Sequence, residues 1–271
     1  EYKVRHWKAL VRGWEKIEKE FEKDLRSWFY DQRSHVLRLV FHEEKQADPE
    51  WQQWIEDLLS GELDENYWIS QNLVLSKVAE KHFIGAMEFS GVQLIGLFQD
   101  LGIEMAPDWS IYNTAAVKML QQRVNEGKLA TITQTMQRKI RGALRDGIEG
   151  GWSEQQMGDA IRDVYNAAGN RAKTIARTEL GGVISDSREA GFVDVGVKKQ
   201  MWVSARDGRV RTFGVPEGNT TYNHLIDGQV RAIGEAFDTG GSPALTRPNM
   251  PGGEAGDVIN CRCIVIPVLE E

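Results

Sequence analysis

From Tyr2 to Val40, apolar side chains recur at steps of mostly three and four: Val4, Trp7, Leu10, Val11, Trp14, Ile17, Phe21, Leu25, Trp28, Phe29, Val36, Leu37 and Val40. That spacing draws one continuous stripe on a long helix. A chain that opens this way must bury the stripe, and a helix bundle does so. Between the apolar positions stand mainly Lys, Glu and Arg, including the i,i+4 pair Glu15 and Lys19. Trp7, Trp14 and Trp28 also suit a helix that docks on a partner, because Trp is favoured at interfaces.

Further helices follow. Asp48-Pro49-Glu50 reads as a start, with Asp48 as N-cap and proline in the first turn, before a short helix over 51–59 that ends near Gly61. Asp64 starts the next, over 66–98, with a break expected near Gly85 or Gly91. After Ala106-Pro107, Asp108 can cap a helix over 109–125, and Thr131 or Thr133 opens another to about Ile148. That last helix carries Arg138, Lys139, Arg141 and Arg145, a cluster that reads as a solvated face. At Gly147 to Ser153 comes the clearest joint: Ser153 and Gln156 form a capping-box pair for a helix to about Ala168. Gly169-Asn170 reads as a turn before a helix over 171–191. Residues 199–204 alternate like a strand, Asp207-Gly208 signals a hairpin, and residues 214–222 and 238–256 read as loops. CIVIPV (263–268) reads as a buried strand. The expectation is an α+β, mainly α chain: an elongated helical part over 1–150, then a small mixed domain over 151–271 with a short antiparallel sheet.

Composition narrows the functional classes. Residues 1–169 carry 21 basic and 27 acidic side chains and residues 170–271 carry 12 and 13, so neither part has the basic footprint of a nucleic-acid binder. No run of 18 apolar residues occurs, and EYKVRHWKAL lacks the apolar core of a signal peptide. Because the chain starts at Glu1 rather than Met, it is expected to be a processed product or a piece of something longer. Two cysteines spaced C-x-C make no disulfide framework, so a reducing cytoplasm is the natural setting.

Uncommon polar residues and both cysteines crowd into residues 171–263: RAKTIARTEL, MWVSARDGRVR, HLIDGQV and GDVINCRCIVIPV. Arg177 is expected to pair bidentately with a carboxylate such as Asp207 or Asp227 rather than to bind phosphate. His224, Cys261 and Cys263 have the chemistry of zinc ligands, but a structural site wants four, and Asp207, Asp227 or Asp257 would have to complete it. The competing reading places Cys261 and Cys263 on one face of a strand as small buried apolar groups. His224, Asp207, Asp227 and Arg211 can also be drawn as a nuclease-like general base with charged helpers, although no spacing dictated by a known mechanism is present. No H-x-x-x-H, P-loop or G-x-S-x-G occurs.

The order of these motifs carries a resemblance. IARTE, a Trp before D-G-R-V-R, H-x-x-D-G, a Phe, a Pro/Gly-rich loop and N-C-R-C together resemble the phage Mu protein F-like minor head proteins, a family of phage head morphogenesis proteins. The resemblance covers residues 150–268 closely. Its motif positions here are Arg177, Thr178, Trp202, Asp207, Arg209, Arg211, His224, Asp227, Gly228, Phe237, Cys261, Arg262 and Cys263. One departure stands out: the family has its His a few residues after R-V-R, whereas here residues 212–223 intervene like a loop insertion. The resemblance implies a minor head protein of a tailed phage or prophage, not an enzyme, working without a cofactor or small-molecule substrate. It implies binding to portal, major capsid or scaffold protein, with at most weak DNA contact and no membrane. Its place would be the head interior or portal vertex of the virion, and the host cytoplasm during assembly. The rival readings are a nuclease-type toxin using His224, Asp227 and Arg211, and a DNA-contacting packaging accessory using residues 138–145 and 206–211.

Overall fold

In the computed structural model, residues 2–41, 50–104, 114–126, 129–205, 226–238 and 245–269 are described. The elements are α1 (Tyr2–Val40), α2 (Glu50–Ser60), α3 (Glu65–Asp100), α4 (Thr114–Glu126), α5 (Leu129–Glu149), α6 (Glu154–Asp194), β1 (Lys199–Val203), β2 (Val230–Ala232), α7 (Ala255–Val258) and β3 (Ile264–Val268). The fold is α+β and mainly helical. Its one sheet among the described residues is antiparallel, in the order β2-β1-β3, with Trp202 opposite Val265 and Met201 opposite Val230.

Two compact units are built from interleaved pieces of chain. One gathers residues 1–20, 81–123 and 174–271; the other gathers 21–80 and 124–173. They are not the consecutive blocks 1–150 and 151–271, because α1, α3 and α6 each run from one unit into the other. Local periodicity defines a helix but not which helices pack together.

Among its described residues the second unit has helices and no strand. Leu25, Trp28, Phe29 and Val36 of α1, Trp68 and Leu75 of α3, Met136, Ile140 and Leu144 of α5, and Ile161 of α6 are buried. Asp64 caps α3, as expected: its Oδ1 accepts the Tyr67 amide at 3.0 Å, and that bond holds its carboxyl below the usual range. Ser153 and Gln156 close the expected capping box, Ser153 N–H to Gln156 Oε1 at 2.8 Å and Gln156 N–H to Ser153 Oγ at 3.3 Å. Within the basic cluster of α5, Arg138, Lys139 and Arg145 are exposed. Arg141 instead donates to the Leu59 and Leu63 carbonyls at 3.2 and 3.1 Å, satisfying groups that the end of α2 leaves open.

Two expected interruptions are absent. Helix α3 continues through Gly85 and Gly91, and α6 continues through Gly169 and Asn170. A helical glycine costs only about 1 kcal/mol relative to alanine, and burying residues on both sides of the expected break outweighs that. In α6 these include Tyr165, Ala172 and Ala176. The expected cap at Asp48, the helix start at Trp109 and the Asp207-Gly208 hairpin lie outside the described residues.

In the first unit, α6 is the central rod. From Ala176 to Phe192 every residue is buried, although the segment reads ARTELGGVISDSREAGF. Its apolar neighbours include Leu94, Leu97 and Phe98 of α3, Trp202 of β1, Phe237, Cys261, Cys263 and Val265, which cluster with Ala190 and Phe192. Close approach also occurs between α1 and α3: a methyl group on Gly13 would lie 2.2 Å from the Phe89 ring, whereas one on Gly85 meets nothing within 4 Å. Thermal denaturation of the two alanine variants should therefore diverge. Gly85→Ala is expected to stabilise by roughly 0.5–1 kcal/mol. Gly13→Ala is expected to destabilise by about 1–3 kcal/mol through overpacking, and equal Tm shifts would contradict this packing.

Candidate functional site

The motif residues that the structure describes converge on the buried half of α6. Arg177 places its Nε and Nη2 on the two Glu18 carboxylate oxygens, at 3.0 and 2.7 Å. This is the bidentate pairing expected, but with a different partner. Asp227 is not the acceptor; it takes the Ser204 amide at 2.8 Å, with Lys3 Nζ at 3.8 Å. Glu18 wins because it faces α6 from α1, at a sequence separation no local pattern announces. Both members are almost fully buried, with side chains 5% and 3% exposed. A charge there must be paired to be tolerated.

Arg177 Nη1 also donates to Asn260 Oδ1. The Asn260 backbone is in the left-handed region (φ 62°), and its amide donates to Thr178 Oγ1 at 2.9 Å, while the Thr178 hydroxyl donates to the Thr174 carbonyl at 2.8 Å. IARTE and N-C-R-C are thus two halves of one latch.

N-C-R-C alternates in direction as extended chain must. Asn260 and Arg262 turn to the charged side, where Arg262 reaches Glu15 at 3.2 Å and Glu18 at 3.8 Å, and its carbonyl accepts Trp7 Nε1 at 2.9 Å. Cys261 and Cys263 turn to the apolar side. Both are buried, neither is in a disulfide, and the Cys263 amide donates to Cys261 Sγ at 3.4 Å. The reading of the cysteines as same-facing apolar groups fits this geometry, except that they lie just before β3 rather than within a strand. Two thiolates are half of a structural zinc set. Among the described residues no cluster of three or more His, Cys, Asp or Glu is placed to hold a metal. Asp207, Arg209, Arg211 and His224 lie outside the described residues.

Trp202 and Phe237 form the apolar floor, their rings edge to face with centroids 5.1 Å apart. Ile226, Asp227 and Gly228 supply the turn beside them. Gly228 sits at φ 84°, where a side chain would be strained, and its amide donates to the Trp202 carbonyl at 2.9 Å.

Sequence reasoning missed a second polar group on the same helix. Arg188, fully buried, donates from Nε and Nη2 to the Val265 carbonyl at 3.1 and 2.9 Å, and stands 3.1 Å from His6 Nε2. It covers the outer edge of β3 with a charge, which blocks edge pairing. Asp186 is gripped by Arg123 at 2.5 Å and Arg247 at 2.7 Å, and Arg247 also reaches Glu189 at 2.9 Å. Burial pushes the Glu189 carboxyl up, Arg247 pulls it down and Asp186 pushes it up. Gly181 and Gly182 give these groups room: a methyl group on Gly182 would lie 2.2 Å from the Arg123 guanidinium. A charged residue on a helix that also reads as amphipathic was the only available signal, and it does not separate a buried Arg from a solvated one.

Among the described residues the arrangement is a buried polar frame. Each described charged motif residue has a neighbour in the protein, and together they hold α1, α6 and the sheet in one geometry.

Replacing Arg177 with Met should destabilise the chain by about 3–5 kcal/mol, because Glu18 is left buried with only Arg262, at 3.8 Å, beside it. Adding Glu18→Leu should recover a large part of that loss. Chemical denaturation of the double-mutant cycle measures it, and simple additivity would contradict the pairing.

His6 supplies a pH test. Burial, then Arg188, then Arg5 lower its pKa from 6.5 to about 3. The folded imidazole therefore stays neutral, accepting from Arg188, while the unfolded one takes a proton below pH 6.5. Stability is expected to fall between pH 6.5 and 3 by up to about 1.4 kcal/mol per pH unit, with no His6 contribution above 6.5. His6→Gln should lack this component, read as the difference between the two denaturation profiles.

With this geometry in hand, comparison with known proteins is informative. Residues 138–266 match the family model described as phage Mu protein F like protein. An uncharacterized protein of Haemophilus influenzae is 29% identical over 132 residues, which is 49% of this chain and 25% of that protein. The matched segment is thus a quarter of the relative's length. No solved structure matches. The match takes in Arg177, Thr178, Trp202, Asp227, Gly228, Phe237 and the N-C-R-C segment, the residues that build the frame. Over residues 138–266, the chain is similar to the phage Mu protein F-like family.

Proposed function

We propose that the chain is a minor head protein of a tailed phage or prophage that binds the portal vertex during procapsid assembly. The observation that carries this reading is the family match over residues 138–266, read together with a motif set whose described members are engaged in structural contacts. Portal, major capsid or scaffold protein are the partners, the virion head and the host cytoplasm the setting, and help with packaging or ejection the further role. The reading needs neither a catalytic step nor a cofactor. No helix among the described residues is long and apolar enough to cross a membrane. The nuclease-type reading loses support at Asp227, which the Ser204 amide and Lys3 already occupy. Weak DNA contact is assigned to exposed Arg138, Lys139 and Arg145 of α5.

Docking is assigned to the second unit. There Ile69 and Leu73 stand 52% and 59% exposed on consecutive turns of α3, at the i,i+4 spacing that makes side chains neighbours on one helix surface; Val74, beside Leu73 in sequence, is 45% exposed. Removing whole helices would be a poor test, since residues 1–20 and 81–123 belong to the same unit as the motif frame. Surface substitution avoids this. The full chain should co-sediment with its cognate portal oligomer at moderate salt, and Leu73→Asp should weaken that at least tenfold while leaving the circular dichroism unchanged. Undiminished binding by Leu73→Asp would move the face elsewhere. No binding by the unaltered chain at low or moderate salt would sink the portal reading.

A further inference from the structure

We infer that the outer face of α1 in the first unit is a docking strip for the phosphate backbone of duplex DNA. Arg5, Lys8, Arg12, Lys16 and Lys19 follow one another at steps of three, four, four and three. On an α-helix that spacing keeps them within one narrow arc, running about 21 Å along the axis. All five are exposed, Arg5 with 74% of its side chain in solvent. The acids of the same stretch are used elsewhere: Glu15 is drawn to Arg262 at 3.2 Å and Glu18 to Arg177 at 2.7 Å. Arg5 stands 3.6 Å from Asp100, beyond hydrogen-bond range. Among the described residues, none of the ion pairs of this stretch takes in Lys8, Arg12, Lys16 or Lys19. Exposed Glu20 follows only after the last of them.

The chemistry of the strip selects its occupant. Protein interfaces are depleted in Lys at their centre and enriched in aromatic side chains. Here three lysines and two arginines follow one another with no aromatic or aliphatic member among them. Single-stranded nucleic acid is held largely by bases stacked on aromatic rings, which the strip also lacks. What it offers is a row of cations, and that fits a backbone recognised by charge and not by sequence. The formal net charge of -7 belongs to the whole chain. Screening confines a contact to the charges within about 10 Å of it, and along this arc those are positive. The strip is distinct from the weak contact assigned to α5, and it does not rest on the portal reading.

Fluorescence anisotropy of a short labelled mixed-sequence duplex, titrated with the full chain at several salt concentrations, tests this. Log K is expected to fall against log salt with a slope of about -3 to -4.5, as three to five phosphate contacts require. The combined variant Lys8→Gln, Arg12→Gln and Lys16→Gln should bind at least tenfold more weakly and flatten the slope by about 3, with circular dichroism unchanged. The same change at Arg138, Lys139 and Arg145 should cost far less. No binding by the unaltered chain at low salt would overturn the inference, as would an undiminished slope in the α1 variant. Poly-glutamate that displaces the labelled duplex as effectively as unlabelled duplex, at equal charge, would assign the strip to an acidic protein face and overturn it too.

Discussion

A guanidinium forked onto a carboxylate, both removed from water, is the constraint on which the first unit depends. Both prongs of Arg177 hold the Glu18 carboxylate, and Arg262 stands farther off at 3.8 Å. The pair therefore fixes α1 against α6 in rotation and in height, which apolar contact alone would leave free to slide. Everything else in the frame extends that fixed point. Asn260 takes the third donor of Arg177, Thr178 takes the amide of Asn260, and Arg262 adds a second positive group to the same acidic face of α1. Strand β3 begins two residues after Arg262, so its register descends from the same pair.

The polar composition of α6 makes sense in these terms. A helix buried on all sides usually reads as apolar all round. This one carries Arg177, Glu179, Asp186, Arg188 and Glu189 at buried positions, and α1, α4, β3 and Arg247 bring complementary groups to it. Buried pairs of this kind add little net stability over well-packed apolar residues. What they contribute here is discrimination: α4 can seat only where Arg123 meets Asp186, and β3 only where Val265 meets Arg188. A small domain with a modest apolar cluster gains a single arrangement from them.

Much of the fold was legible in the chain. The stripe of α1, the cap at Asp64, the capping box at Ser153, and the strands at 199 and 264 all rest on local rules, and local rules were sufficient. Glycine misled at Gly85 and Gly169, because its permissive backbone signals a break only when nothing on either side is worth burying. The site was legible as a set of residues and not as a set of contacts. Motif order singled out Arg177, Thr178, Trp202, Asp227, Gly228, Phe237 and N-C-R-C, but the partner of Arg177 lies 159 residues away on a helix that reads as ordinary bundle. Arg188, Asp186 and Arg123 were invisible for the same reason: a charge on a helix carries no mark of the depth at which it will sit. Nor does periodicity say that α1, α3 and α6 each contribute to two compact units.

That interleaving has a consequence for how the chain is made. Glu18 leaves the ribosome long before Arg177 and Arg262 do, and at roughly 5–20 residues per second the interval is on the order of ten seconds or more. Through that time Glu18 has neither Arg177 nor Arg262, and Trp7 and Trp14 have only part of their apolar cover. The nascent helix is then a sticky amphipathic segment that must be shielded by its own charged face, and the density of Lys, Arg and Glu between its apolar positions serves that need. Closure of the first unit waits until residues 260–268 have emerged, so this unit assembles from segments that lie far apart in the sequence.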